Sequence, residues 1–94
     1  MPQYQICFCN HGVEKAWASL EEQMQDKIDE LKRFLQENPK DRLKSAGKLK
    51  KMKGRLKGVL QYDITVSHRV RYEVDSSEKV VLIRYIGSHP SSYP

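Results

Sequence analysis

Polar and apolar residues alternate over residues 3–9, "QYQICFC". Tyr4, Ile6 and Phe8 fall on one side, and Gln3, Gln5, Cys7 and Cys9 on the other. A period of two is that of a half-buried strand. "NHG" then punctuates the chain, with Asn10 or His11 placed to cap a helix. From Val13 the period changes. Val13, Ala16, Trp17, Leu20, Met24, Ile28, Leu31, Phe34 and Leu35 recur at spacings of three and four. This predicts one long amphipathic helix ending near "ENP", because Pro39 disfavours helical geometry at Asn38. Asp41 is placed to cap a short second helix with Leu43, Ala46 and Leu49 on one side and lysines on the other; Gly47 weakens it and Gly54 ends the basic stretch in a loop.

After Gly58 the period of two returns. Leu60, Tyr62, Ile64 and Val66 alternate with Gln61, Asp63 and Thr65. In "HRVRYEV" (68–74), Val70, Tyr72 and Val74 oppose Arg69, Arg71 and Glu73. "DSSE" (75–78) is turn chemistry. "KVVLIRYI" (79–86) is apolar on both faces, as in a central strand covered on both sides. The order is β-α-α-β-β-β, an α+β fold. It predicts a small four-stranded sheet, an N-terminal strand plus an antiparallel C-terminal meander, with the helices on one face. Charge pairing favours a register with Thr65 opposite Arg69, Asp63 opposite Arg71 and Gln61 opposite Glu73, since a shift that set Asp63 against Glu73 would be repulsive. Arg69, Arg71, Asp63 and Thr65 then share the face without the aliphatic row.

Length bounds the rest. Ninety-four residues make one domain, residues 1–94, with no room for two cores. No apolar run approaches a membrane span, and the N-terminal segment lacks the pattern of a secretory signal. Cys7 and Cys9 point the same way along one strand, an awkward geometry for a disulfide, so the chain reads as reduced and cytoplasmic. "CFCNH" matches no common zinc spacing and lacks a second ligand pair, so neither metal nor cofactor is expected.

Charge is distributed in blocks. Residues 14–37 carry seven acids against four bases, a net −3, whereas residues 40–58 carry nine bases against Asp41 alone, a net +8. A single basic block fits a polyanionic partner, and equally a solvated lysine-rich surface. The C-terminal half adds more specific groups. Arg69 and Arg71 are strand arginines whose planar fork suits phosphate oxygens. Arg84, in the expected central strand, needs a partner if buried, so it is either paired structurally or part of the site. His89 is a candidate proton donor or acceptor, because an imidazole ordinarily titrates near neutral pH, and Tyr93 can stack on a base or pack the terminus. Metal-free RNA cleavage asks for a group to take the ribose 2′-hydroxyl proton, cations for the phosphate and an acid for the leaving oxygen.

The runs "KLKKMKGRLKG" (48–58), "YDITVSHRVRYEVD" (62–75) and "VVLIRYIGSHPSSY" (80–93), with the opening "FCNHGVEKAWASL", resemble the RelE/ParE superfamily of bacterial toxin–antitoxin toxins over nearly the whole chain. The resemblance implies a compact, microbial-RNase-like fold with two N-terminal helices. It implies a metal-independent endoribonuclease that cuts mRNA on the ribosome and is neutralised by a cognate antitoxin. The alternative within the same superfamily is a ParE-like inhibitor of DNA gyrase without nuclease activity. Carried over by position, Arg69 falls on the strand arginine that contacts the scissile phosphate. His89 falls on a catalytic histidine and Tyr93 on the C-terminal aromatic that orients the base. Lys48, Lys50, Lys51, Lys53, Arg55 and Lys57 fall on the basic ribosome-facing stretch, with Arg71 and Arg84 as further RNA contacts. The chain departs from its relatives in the strand before Arg69, "VLQYDIT", which lacks the lysines of some and has Asp63 where others place a histidine. Asp63 and His68 are its candidates for the general base.

Overall fold

A computed structural model of the chain describes residues 3–54 and 58–88. The order is β1 (Gln5–Phe8), α1 (His11–Gln23), α2 (Gln25–Glu37), β2 (Leu49–Lys51), β3 (Leu60–Asp63), β4 (His68–Asp75) and β5 (Val80–Ser88). The strands form one sheet in the order β1-β5-β4-β3-β2. β1 pairs parallel to β5, and every other neighbour is antiparallel. The expected α+β architecture is therefore present, with five strands instead of four.

The fifth strand, β2, replaces the expected short second helix. Asp41 does cap a turn, its carboxylate accepting from the backbone N–H of Leu43 and Lys44. Ser45 N–H then bonds the Asp41 carbonyl, as one turn of helix would. Ala46 and Gly47 follow with φ of 55° and 84°, a left-handed pair that cannot continue a helix. Leu49 consequently enters the sheet and is buried, while Leu43 is 93% exposed. The turn is tied to the core by Tyr72, whose buried hydroxyl donates to the Pro39 carbonyl at 2.6 Å.

The predicted long helix is broken at Met24 (φ −146°, ψ 61°). A continuous helix over residues 11–37 would be about 40 Å long at roughly 1.5 Å per residue, more than the 35 Å longest extent of the fold. The break returns the second half onto the same core, and Lys32 Nζ bonds Glu21 Oε2 at 2.6 Å across it. The apolar spacing hides the break because Leu20, Met24 and Ile28 stay in phase. Asn10 caps α1, its side chain accepting from Val13 N–H at 2.9 Å, and α2 ends at Glu37 as Pro39 requires.

Trp17, Leu20, Ile28, Leu31, Phe34 and Leu35 from the helices meet Leu49, Leu60, Tyr62, Val70, Tyr72, Val81, Ile83 and Ile86 from the sheet in one buried cluster. The opposite face carries Gln61, Asp63, Arg69, Arg71, Glu73 and Leu82. β5 is thus covered by helices on one face only, with Leu82 half-buried and Arg84 exposed on the described outer surface. No described helix is long and apolar enough to cross a membrane.

Candidate active site

The β3–β4 pairing sets the geometry of the open face. Asp63 stands opposite Arg69 and Gln61 opposite Arg71, one pair away from the register that charge pairing suggests. Thr65 explains the shift. Its hydroxyl accepts from the backbone N–H of Ser67 and His68 and is hydrogen-bonded to His68 Nδ1 at 3.0 Å. Thr65 therefore closes the turn instead of standing in the ladder, and leaves the arginine face.

Asp63 is the hub of a polar network. Its Oδ2 lies 3.3 Å from Lys50 Nζ, and its Oδ1 accepts from Gln61 Nε2 at 3.3 Å and lies 3.8 Å from Arg69 Nε. The other end of the Gln61 amide, Oε1, accepts from Arg71 Nε at 3.1 Å. Gln61 is 4% exposed, so its amide is held between two charged neighbours in a desolvated position. Arg69 Nε is buried and has no hydrogen-bond partner among the described residues, an arrangement that costs desolvation energy and is rare in settled structural pairs. Lys50, Asp63, Arg69 and Arg71 are thus brought together from three adjacent strands.

The β5 side of this face is shaped by a bulge. Arg71 pairs with Tyr85 but Tyr72 pairs with Ile83, leaving Arg84 as the extra residue. Arg84 swings to Glu73, Nη1 to Oε2 at 2.8 Å, so its partner is structural. The bulge restores Ile86 to the core and sets Gly87 opposite Arg69. Gly87 lies within β5. A Cβ there would come within 3.2 Å of the Tyr85 hydroxyl, which donates to the Ser88 carbonyl. The missing side chain lets the Tyr85 phenol lie over the strand at the position opposite Arg69.

The remaining expected residues are dispersed. Lys48 Nζ bonds Glu30 Oε1 at 3.0 Å and lies 5.8 Å from the Tyr62 ring centre, towards the helices. That contact pushes the Lys48 ammonium up and the Glu30 carboxyl down from their ordinary ranges. Lys51 and Lys53 line a separate groove of about 580 Å³ with Lys40, Met52, Leu60 and Val74. His68 alternates with Arg69 and so shares the side of Val70. His89, Tyr93, Arg55 and Lys57 lie outside the described residues. Cys7 and Cys9 are free thiols, and no group of three or more His, Cys, Asp or Glu side chains that could hold a metal occurs among the described residues. Sequence reading missed Gln61 and Lys50 as partners of Asp63; the signal was the spacing Gln61–Asp63 against Arg69–Arg71, legible only in the correct register.

No protein-family model and no curated protein sequence matches the chain. Solved structures do. The chain is similar to the YoeB/ParE toxin from Agrobacterium tumefaciens, with a TM-score of 0.73 and 23% identity over 92% of this chain and 99% of that one. It is similar to a chain of the archaeal RelE–RelB complex from Pyrococcus horikoshii, with a TM-score of 0.70 and 22% identity over 96% and 99%. It is also similar to a chain of the E. coli DinJ–YafQ toxin–antitoxin complex, with a TM-score of 0.71 and 18% identity over 98% and 99%. The mixed sheet with two helices is the RelE-like toxin fold.

Proposed function

We propose that a chain with this fold and this arginine face is the toxin of a type II toxin–antitoxin system, a metal-independent endoribonuclease acting on mRNA at the ribosome. The observation that carries the reading is Arg69: a guanidinium whose buried Nε has no hydrogen-bond partner among the described residues, on a face shared with Arg71 and Lys50. A phosphodiester oxygen would supply the missing acceptor, and the cation would offset charge as the phosphate becomes pentacoordinate. Arg71 and Lys50 add positive charge to the same surface.

Asp63 best fits a positioning role here. Both of its oxygens already face cations or the Gln61 amide, so it holds Arg69 in place. His89 is assigned the proton transfer and Tyr93 the orientation of a base, on sequence position alone. His89 directly follows Ser88, whose carbonyl is held by Tyr85. Lys51 and Lys53, with Arg55 and Lys57, supply the sequence-independent attraction to RNA and ribosome. The cognate antitoxin is the expected protein partner, as complexes of the fold neighbours with RelB and DinJ illustrate for those proteins.

The test is direct. The purified chain is incubated with bacterial ribosomes carrying a defined mRNA in magnesium buffer. Discrete fragments ending in 2′,3′-cyclic phosphate are expected from 2′-hydroxyl attack, an end that attack by a metal-activated water would not leave. Intact mRNA would refute the reading.

A further inference from the structure

We propose that Gln61 is a positioning residue that couples the two strand arginines into one phosphate-binding unit, an inference that rests on the nuclease reading above. Gln61 is nearly fully buried on a polar face, where an amide is expensive unless both ends are bonded. Both ends are bonded, and to different arms. Nε2 donates to Asp63 Oδ1, the oxygen nearest Arg69, and Oε1 accepts from Arg71 Nε. The amide can satisfy both only in one orientation, because its two ends differ in chemistry. Gln61 therefore fixes where Arg71 stands relative to the Asp63–Arg69 pair.

An aliphatic residue of similar size would suit burial equally well but would bond neither neighbour. A glutamate would still accept from Arg71 but would turn a carboxylate oxygen towards Asp63, where the donor now sits at 3.3 Å. Two carboxylates that close cannot both be ionised without cost, and the pair titrates as a unit. Among the described residues, the charged or titratable groups facing this point are Lys50 from β2, Asp63 from β3, Arg69, Arg71 and Glu73 from β4, and Tyr85 from β5.

The experiment compares Gln61→Leu and Gln61→Glu with the unaltered chain in the ribosome–mRNA cleavage assay across pH. Gln61→Leu should lower kcat on the order of tenfold to a hundredfold, the scale of a displacement of about 1 Å, with KM little changed. Gln61→Glu should cleave best at low pH and lose activity as pH rises through a new descending limb absent from Gln61→Leu. A kcat unchanged in Gln61→Leu together with an unaltered pH profile in Gln61→Glu would overturn the proposal. A second measurement stands apart from activity: the ¹⁵N–¹H signals of the arginine Nε groups. Slowed proton exchange at Arg71 Nε in the unaltered chain, lost in Gln61→Leu with a shift at Arg69, is expected. Identical arginine signals in both would overturn the positioning role even if the unaltered chain cuts no RNA, an outcome that would itself refute the nuclease reading.

Discussion

Asp63 and Arg69 face each other across β3 and β4 with Arg69 Nε 3.8 Å from Asp63 Oδ1, close enough for attraction and too far for a hydrogen bond. The carboxylate thus aims the guanidinium without occupying it. Lys50 and Gln61 hold Asp63 by its two oxygens, and Arg69 Nε has no hydrogen-bond partner among the described residues.

This arrangement distinguishes a positioning carboxylate from a general base. Replacing Asp63 by Asn keeps the shape and removes the charge. If Asp63 positions Arg69, cleavage should fall by no more than about a hundredfold, with the acid limb of the pH–rate profile retained. Loss of about 10²–10⁴-fold together with disappearance of that limb would instead make Asp63 the base.

Tyr72 links the connection before β2 to the middle of the sheet. Replacement by Phe leaves the Pro39 carbonyl without its donor and should cost about 1–3 kcal/mol, read as a lower denaturant midpoint with an unchanged slope. Burial raises the Tyr72 phenol well above its ordinary value, and raises that of Tyr62 also. In the unfolded chain these phenols ionise near pH 10. Above that pH the folded state binds more protons than the unfolded state, so stability is complete below about pH 10 and falls as pH rises. Chemical denaturation between pH 8 and 11 should show this decline, and Tyr72→Phe should show less of it.

The lysines of the basic block should divide by their partners. Lys48 is engaged with Glu30 in a largely solvent-exposed pair, so Lys48→Gln should cost less than about 1 kcal/mol of stability and alter RNA binding little. Lys51→Gln and Lys53→Gln should each flatten the salt dependence of RNA binding by about 0.7 in log–log slope, the value for one phosphate contact on a single strand. Equal slopes for all three variants, measured by fluorescence anisotropy with a labelled RNA, would contradict this division.

Much of this was legible from periodicity. β1, the helical region, β3, β4 and β5 all follow from spacing, and the arginine face follows from alternation in "HRVRY". What escaped were features decided by neighbours in space. A helix break at Met24 leaves no mark when Leu20 and Ile28 remain in phase. The left-handed Ala46 and Gly47 turned a short helical pattern into a strand. The register depended on Thr65 closing a turn, and charge pairing alone chose the wrong partner for Asp63. The bulge at Arg84 likewise could not be read from "KVVLIRYI", a run apolar on both faces and so without an alternation to break.

The central claim is that the chain cuts mRNA through Arg69, and mapping of mRNA 5′ ends by primer extension in cells after induction tests it most directly. Discrete new ends within coding sequences should appear with the unaltered chain, and should fall by about 10²–10³-fold in Arg69→Ala, the loss expected when a group that stabilises transition-state charge is removed. Growth arrest with intact mRNA and an SOS response would contradict the account and favour a gyrase poison.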